Sequence, residues 1–286
     1  MAHMTALRAH RRGGPEVLAV ESAPIPVPAD GEVVVAVHAA AITFDELTWE
    51  ETWTLNGVSR APVIPSHEVS GVVVEIGPGE AHFEAGDNVY GLIPFDRDGG
   101  AADYVAVPAQ ALAAKPSTVS HTVAAALPLA GLTAWQALFD HARVQRGERV
   151  LVTGAAGGVG ALAVQLAARF GADVTATVRS DAVELVRNLG ARKVIDARAD
   201  AVDDGQAAYD VVIDTVEGPT LERMFRVLRG GGRLVTLPRP YPPAKPTTIT
   251  SPQRFLWLPP IEINSQSSPL SSTAVGCTSR SPQPFP

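Results

Sequence analysis

The spacing of apolar positions along the chain changes character near residue 122. Upstream, short β-branched runs recur at Glu32–Ala39, Gly71–Ile76, Asn88–Leu92 and Asp103–Val107. Turn signals stand around them: Pro24, Pro26 and Pro28, then Ala29-Asp30-Gly31, Gly77-Pro78-Gly79, Gly86-Asp87 and Gly99-Gly100. Short strands punctuated this way predict a small barrel-like or sandwich-like β domain over residues 1–121. Downstream the period lengthens. Thr122–Ala126 and Thr133–Asp140 read as helices, and a strict alternation of strand and helix follows. The predicted strands are Arg149–Val152, Val174–Val178, Lys193–Ile195, Tyr209–Asp214 and Arg233–Leu237. The predicted helices between them are Val159–Phe170, Ala182–Leu189 and Thr220–Leu228, closed by Gly171, Gly190 and Gly230. Glycine just past a helix end is the usual C-terminal stop. Buried Val-rich strands separated by helices mean βαβ units and a parallel sheet, placed over residues 122–238.

Composition changes the picture at residue 239. Residues 239–286 are rich in proline and serine, with Arg239, Lys245, Arg254 and Arg280 against the single acid Glu262. That composition predicts a poorly ordered, irregular tail. Apart from a short strand at Arg254–Leu258, nothing in it continues the α/β pattern. The sheet is therefore expected to be incomplete, with its fifth strand an exposed edge.

Of the 286 residues, 46% are apolar and 19% charged, which excludes a chain disordered throughout and a coiled coil. The net charge of −7 argues against a nucleic-acid partner, which a basic surface would bind. One cysteine, Cys277, allows neither a disulfide framework nor a thiolate zinc cluster. The most apolar stretch, Val123–Phe139, is broken by Pro128, Thr133 and Gln136 and is too short to span a bilayer. Met1–Arg12 is basic and polar with no apolar core behind it, so a cytoplasmic protein without a membrane partner is expected.

The strongest chemical signal follows strand Arg149–Val152. Gly154-Ala155-Ala156-Gly157-Gly158-Val159-Gly160 runs from that strand straight into a helix. Read as A-x-G-x-x-G, it is a variant of the dinucleotide fingerprint. Small residues let the backbone approach a pyrophosphate, and the helix N-terminus offers free N–H groups and a favourable dipole. Ala156, Gly157, Gly158, Val159 and Gly160 are the expected phosphate-binding residues. At the end of the second strand an NAD site would carry an acid for the ribose 2′-OH. This chain has Arg179 and Ser180 instead, a cation and a hydroxyl suited to a 2′-phosphate, which favours NADPH over NADH. Asp181 competes with that reading, but Asp181-x-x-Glu184 also reads as a capping box for the next helix.

Upstream runs place the turn in a family. Ile64-Pro65-Ser66-His67-Glu68-Val69-Ser70-Gly71, Gly86-Asp87-Asn88-Val89-Tyr90-Gly91 and Gly100-Ala101-Ala102-Asp103-Tyr104-Val105 resemble motifs of medium-chain dehydrogenases/reductases. Leu127–Trp135 and the glycine turn resemble the zinc-independent quinone oxidoreductase branch of that superfamily. A short-chain dehydrogenase is the competing match, through Thr153-Gly154-x-x-x-Gly158-x-Gly160 and Tyr241-x-x-x-Lys245. Pro242 and Pro243 forbid the helix on which that Tyr and Lys would have to sit.

The resemblance implies a GroES-like substrate domain followed by a Rossmann domain, with nicotinamide bound between them. It also implies that Thr133, Thr215 and Val216 line the cofactor, with Thr43 at the substrate-domain edge. Trp49 and Trp53 would either stack on a flat acceptor or pack the loop over the β domain. In zinc-dependent members a Cys stands three residues before the acid matched by Asp45, and here that position is Ile42. His67 then remains alone, and a metal-free site is expected. Without a Lewis acid, hydride transfer from NADPH to an electron-poor quinone or α,β-unsaturated carbonyl is the chemistry left open. No catalytic acid–base residue stands out. The alternative is a nucleotide-binding protein without turnover, and a homodimer is expected only if a sixth strand completes the sheet.

Overall fold

The computed structural model describes residues 2–43, 46–197, 202, 207–216, 221–237 and 254–257. Its contacts divide into two compact units, one reaching Leu129 and the other starting at Ala130.

The first unit is antiparallel. Its strands are β1 (His3–Ala9), β2 (Leu18–Pro24), β3 (Glu32–Ala41), β4 (Thr54–Leu55), β5 (Val58–Ser59), β6 (Glu68–Ile76), β7 (Asn88–Leu92), β8 (Tyr104–Pro108) and β9 (Leu112–Ala114). Five of them form one sheet in the order β8-β3-β6-β7-β9, while β1 pairs with β2 and β4 with β5. Alternation along the strands builds the core. Val33 and Val35, Val69 and Val73, and Val105 and Val107 turn inward and meet Val89 and Ile93. Two short helices complete the unit, α1 (Glu50–Trp53) and α2 (His121–Ala125). Ser120 caps α2, accepting from the N–H of Val123, and the helix packs on β3, β6 and β7. The contact boundary therefore falls after Leu129, where the patterning alone put it at 121/122.

The second unit contains α3 (Pro128–Trp135, shared with the end of the first), β10 (Arg149–Val152), α4 (Gly158–Arg169), β11 (Asp173–Val178), α5 (Val183–Asn188), β12 (Lys193–Asp196), β13 (Tyr209–Asp214), α6 (Leu221–Val227), β14 (Leu228–Thr236) and β15 (Arg254–Trp257). The sheet is parallel throughout, in the order β12-β11-β10-β13-β14-β15. Numbered within the unit, this is 3-2-1-4-5-6, the doubly wound order whose direction reverses between its first and fourth strands. Near-continuous apolar strands are needed because both faces are covered. Val150, Val152, Val211 and Ile213 pack with Ala163, Val164 and Ala167 of α4 on one face. Leu151, Val212 and Leu234 pack with Met224 and Val227 of α6 on the other.

Four expectations change. The edge expected to be bare is not, because Arg254–Trp257 adds β15 parallel to β14, with Arg233 opposite Arg254 and Thr236 opposite Trp257. The sheet thus has six strands, the last drawn from the stretch whose composition suggested none beyond a short run. The helix expected at Thr133 begins at Pro128, where proline's missing N–H costs nothing in a first turn, and it continues as a π-helical turn over Gln136–His141. Gly230–Gly232 do not stop α6. They lie inside β14, whose register against β13 shifts between Tyr209 and Val211. Finally, Asp181-x-x-Glu184 forms no capping box, since the residue before α5 is Ala182 and no side chain caps the helix.

Two outcomes are expected. Leu151→Ala, at a position with no solvent exposure, should lower stability by about 2–5 kcal/mol in denaturant unfolding. Leu256→Pro, which puts a residue unsuited to a paired strand into β15 opposite Val235, should speed hydrogen exchange of residues 233–236. Unchanged exchange there would mean that β15 does not cover the edge.

Candidate functional site

The glycine turn lies at the carboxyl end of β10, beside the point where strand order reverses. Three of its glycines have different reasons to be glycine. Gly154 has φ +60°, and a Cβ there would lie 2.5 Å from Thr215 Oγ1. At Gly160 a Cβ would lie 2.3 Å from the carbonyl oxygen of Gly154, so only hydrogen lets α4 start against the strand. Gly157 is the cap of α4, and its N–H donates to Gly154 O at 2.9 Å. A cap without a side chain offers no acceptor to the first N–H groups of the helix. Ala156, Gly157 and Gly158 are exposed, and beyond Gly158 the nearest heavy atom to an added Cβ is 3.9 Å away. The turn is therefore an open backbone surface at a helix N-terminus, which suits an anion.

The neighbouring strand end is tied to this turn by side chains. Thr153 Oγ1 donates to Asp214 Oδ1 at 2.6 Å and accepts the N–H of Thr215 at 3.0 Å. Thr215 Oγ1 donates to the carbonyl of Thr153 at 2.7 Å. Asp214 is buried, and burial raises its carboxyl above the usual range, opposed by hydrogen bonds from Thr153, Val216 and Thr236. Sequence reading singled out Thr215 and Val216 but not this network. Its one visible signal was a polar pair, Thr153 and Asp214, each ending a run of apolar strand residues.

The other expected residues fall as follows. Arg179 is exposed at the end of β11, on the edge where the glycine turn lies, and pairs with no described acid. The backbone of Ser180 opens the 3-10 turn after it, and its side chain is outside the described set. Asp181, no longer occupied as a cap, is exposed in that same turn. Thr133 lies inside α3 rather than at a helix cap. Thr43 belongs to the first unit. Its N–H reaches Glu46 Oε2 at 3.4 Å, and its buried hydroxyl oxygen has no hydrogen-bond partner.

Around Thr43 the first unit holds a second polar group, of which sequence reading weighed His67 as a metal ligand and passed over Glu46. Glu46 is buried, accepts the N–H of Ser66 at 2.6 Å, and has its carboxyl pushed up by burial. Glu68 is buried, accepts the N–H of Leu129 at 2.9 Å, and is raised by burial and by the nearby charge of Glu46. His67, the residue before Glu68, is 1% exposed and packs on Phe95 at 4.7 Å, and burial with the Arg60 charge lowers it to about 4. Asp45 lies outside the described residues. Ile42 is 58% exposed, and among the described residues no three His, Cys, Asp or Glu are grouped to hold a metal. Trp53 is a packing residue, with its indole N–H on Leu47 O at 2.7 Å and its ring against Ala9 and Val63. Trp49 meets Phe95 edge-on. No described helix is long and apolar enough to cross a membrane.

Comparisons with known proteins agree with the two-unit fold. A family model described as alcohol dehydrogenase GroES-like domain matches residues 29–117, and one described as zinc-binding dehydrogenase matches residues 158–264. The quinone oxidoreductase from Coxiella burnetii superposes with a TM-score of 0.76 at 30% identity, covering 83% of this chain and 76% of that one. The chain belongs to the medium-chain dehydrogenase/reductase superfamily, with a GroES-like unit followed by a Rossmann unit. The NAD(P)H oxidoreductase RTN4IP1, mitochondrial, of Mus musculus is 32% identical over 232 residues, 73% of this chain and 59% of the relative. The NADPH-dependent alkenal/one oxidoreductase, chloroplastic, of Arabidopsis thaliana is 34% identical over 234 residues, 79% and 60% respectively. The chain thus spans about three-fifths of the length of these curated relatives.

Two expectations follow from the packing. Gly160→Ala should misplace the start of α4 and lower Tm by several degrees, because the new methyl meets the backbone of Gly154 and Ala155. For His67, whose folded value of about 4 lies below the ordinary 6.5, the unfolded chain takes up the proton first as pH falls. The stability from its neutral ring is whole above 6.5 and is lost toward 4, by about 3 kcal/mol. Glu46 and Glu68, raised in the fold, act with the opposite sign and favour the folded state on acidification. In NMR titration the His67 ring should stay neutral through pH 5, and His67→Gln should flatten the acid side of the stability profile.

Proposed function

We propose that this chain is an NADPH-dependent oxidoreductase that reduces a quinone or an α,β-unsaturated carbonyl without a metal. The observation that carries the reading is the uncapped, open glycine turn at the head of α4, beside a strand end where Arg179 comes first and Asp181 follows two residues later. The backbone N–H groups of Gly158, Val159 and Gly160 would take the pyrophosphate, with Ala156 and Gly157 giving it room. Arg179 and Ser180 would take the 2′-phosphate, while Thr215 and Val216 line the cofactor on the next strand. Thr133 and Thr43 complete the proposed set by resemblance. Bound there, the nicotinamide supplies a hydride to the acceptor. The chain's own part is to orient the cofactor and exclude water, with the proton drawn from solvent.

A zinc centre does not fit the residues present. The position expected to carry a thiolate is the exposed alkyl side chain of Ile42, His67 is buried against Phe95, and Glu46 and Glu68 accept backbone N–H groups. Catalysis is therefore assigned to binding and alignment. The relatives named for NADPH, quinone or alkenal/one chemistry support the acceptor class.

The deciding experiment titrates the purified chain with NADPH and NADH, then adds a benzoquinone or an enone and follows nicotinamide oxidation. NADPH should bind more tightly, and Arg179→Ala should weaken it by about tenfold or more while leaving NADH nearly unchanged. Tighter NADH binding would transfer the specificity to Asp181 and overturn the Arg179 assignment. Binding without turnover across both acceptor classes would instead favour a nucleotide-binding protein that performs no reduction.

A further inference from the structure

Asp214 presents a cost that a merely structural strand end does not need. It is 1% exposed at the last position of β13, and no Lys or Arg pairs with it among the described residues. Its carboxylate is satisfied by neutral donors alone. Oδ1 accepts from Thr153 Oγ1 at 2.6 Å and from the Val216 N–H at 3.3 Å, and Oδ2 accepts from Thr236 Oγ1 at 3.1 Å. A buried carboxylate without a cation is expensive, and an apolar pair of similar shape would hold two strands together more cheaply.

The donors show what the carboxylate holds. Thr153 follows β10, Thr236 ends β14, and Val216 lies in the segment leaving β13. One side chain therefore ties three adjacent strand ends on the carboxyl edge of the sheet. Two of them, β10 and β13, flank the reversal of strand order, where a crevice opens in doubly wound sheets. Thr153 immediately precedes the glycine turn, and its hydroxyl and carbonyl both bond Thr215. Gly154 in turn leaves no room for a methyl against Thr215 Oγ1.

We propose that Asp214 is a positioning residue that, through Thr153, sets the separation between the phosphate-binding glycine turn and the Thr215–Val216 segment. It touches no reacting atom. The proposal rests on the cofactor reading above and adds that the buried charge aligns the two halves of that site. An isosteric loss of the Thr153 hydroxyl should then be felt as lost cofactor binding, with little effect on the acceptor.

The test compares the full chain with Thr153→Val, Asp214→Leu and Asp214→Asn. Each is checked for folding by circular dichroism and thermal melting, then titrated with NADPH and assayed with a benzoquinone. Thr153→Val should raise the Kd and KM for NADPH about tenfold and leave the KM for the quinone within about twofold. Asp214→Asn keeps an oxygen for Thr153 and should recover most of the affinity that Asp214→Leu loses. If Asp214→Leu does not fold, Thr153→Val and Asp214→Asn decide the matter. Folded Thr153→Val that binds NADPH like the parent chain would overturn the proposal. So would a loss shared equally between NADPH and quinone, which is what general loosening produces. If the parent chain binds neither NADPH nor NADH, the cofactor reading itself fails and this proposal falls with it. Parent binding with unaffected variants removes only the role of Asp214.

Discussion

The second unit depends on one close approach: the backbone of α4 against the backbone leaving β10. A helix that must start within a few residues of a parallel strand can do so only if nothing larger than hydrogen stands between them. Gly160 meets that demand, since a methyl would be 2.3 Å from Gly154 O. Once helix and strand are this near, the N-terminal N–H groups of α4 stand at the carboxyl edge of the sheet without a side-chain cap. Ala163, Val164 and Ala167 can then reach the Val-rich face of the strands. Core packing and the free N-terminal N–H groups thus come from the same contact.

Buried polar groups divide between the two units with different consequences. In the second, Asp214 accepts only neutral donors and ties strand ends that flank the reversal of strand order. In the first, Glu46 and Glu68 accept backbone N–H groups that hold Ser66 and Leu129, and burial beside the Arg60 charge keeps His67 neutral. Ser66 has φ +74°, an uncommon conformation for a residue with a side chain, and its N–H on Glu46 holds it there. These groups oppose one another in acid, since the histidine loses stability over a range where the raised carboxyls gain it.

Much of the α/β half was legible because its signals are local. The five apolar strand runs and the glycine turn each follow from period and turn chemistry over a few residues. Misreadings arose where tertiary partners overrode local preference. Gly230–Gly232 look like a helix stop, yet β13 recruits them into a strand with a register shift. Asp181 looks like a cap, yet a 3-10 turn carries the chain past it before α5 begins. β1 and β2 went unread because each leaves several residues exposed and neither has a long apolar run; their pairing is with each other.

The sequence by itself determined the class of fold and the glycine-rich turn between strand and helix, because these depend on residue type and short spacing. Only the tertiary structure decided that Arg254–Trp257 covers the edge of β14, since strand pairing is a contact between segments remote in sequence. It also decided what the buried acids do. A carboxylate's role follows from which donors surround it, and the donors of Asp214 come from three strands while those of Glu46 come from the segments around Thr43 and Ser66. No window of the sequence brings those groups together; packing does.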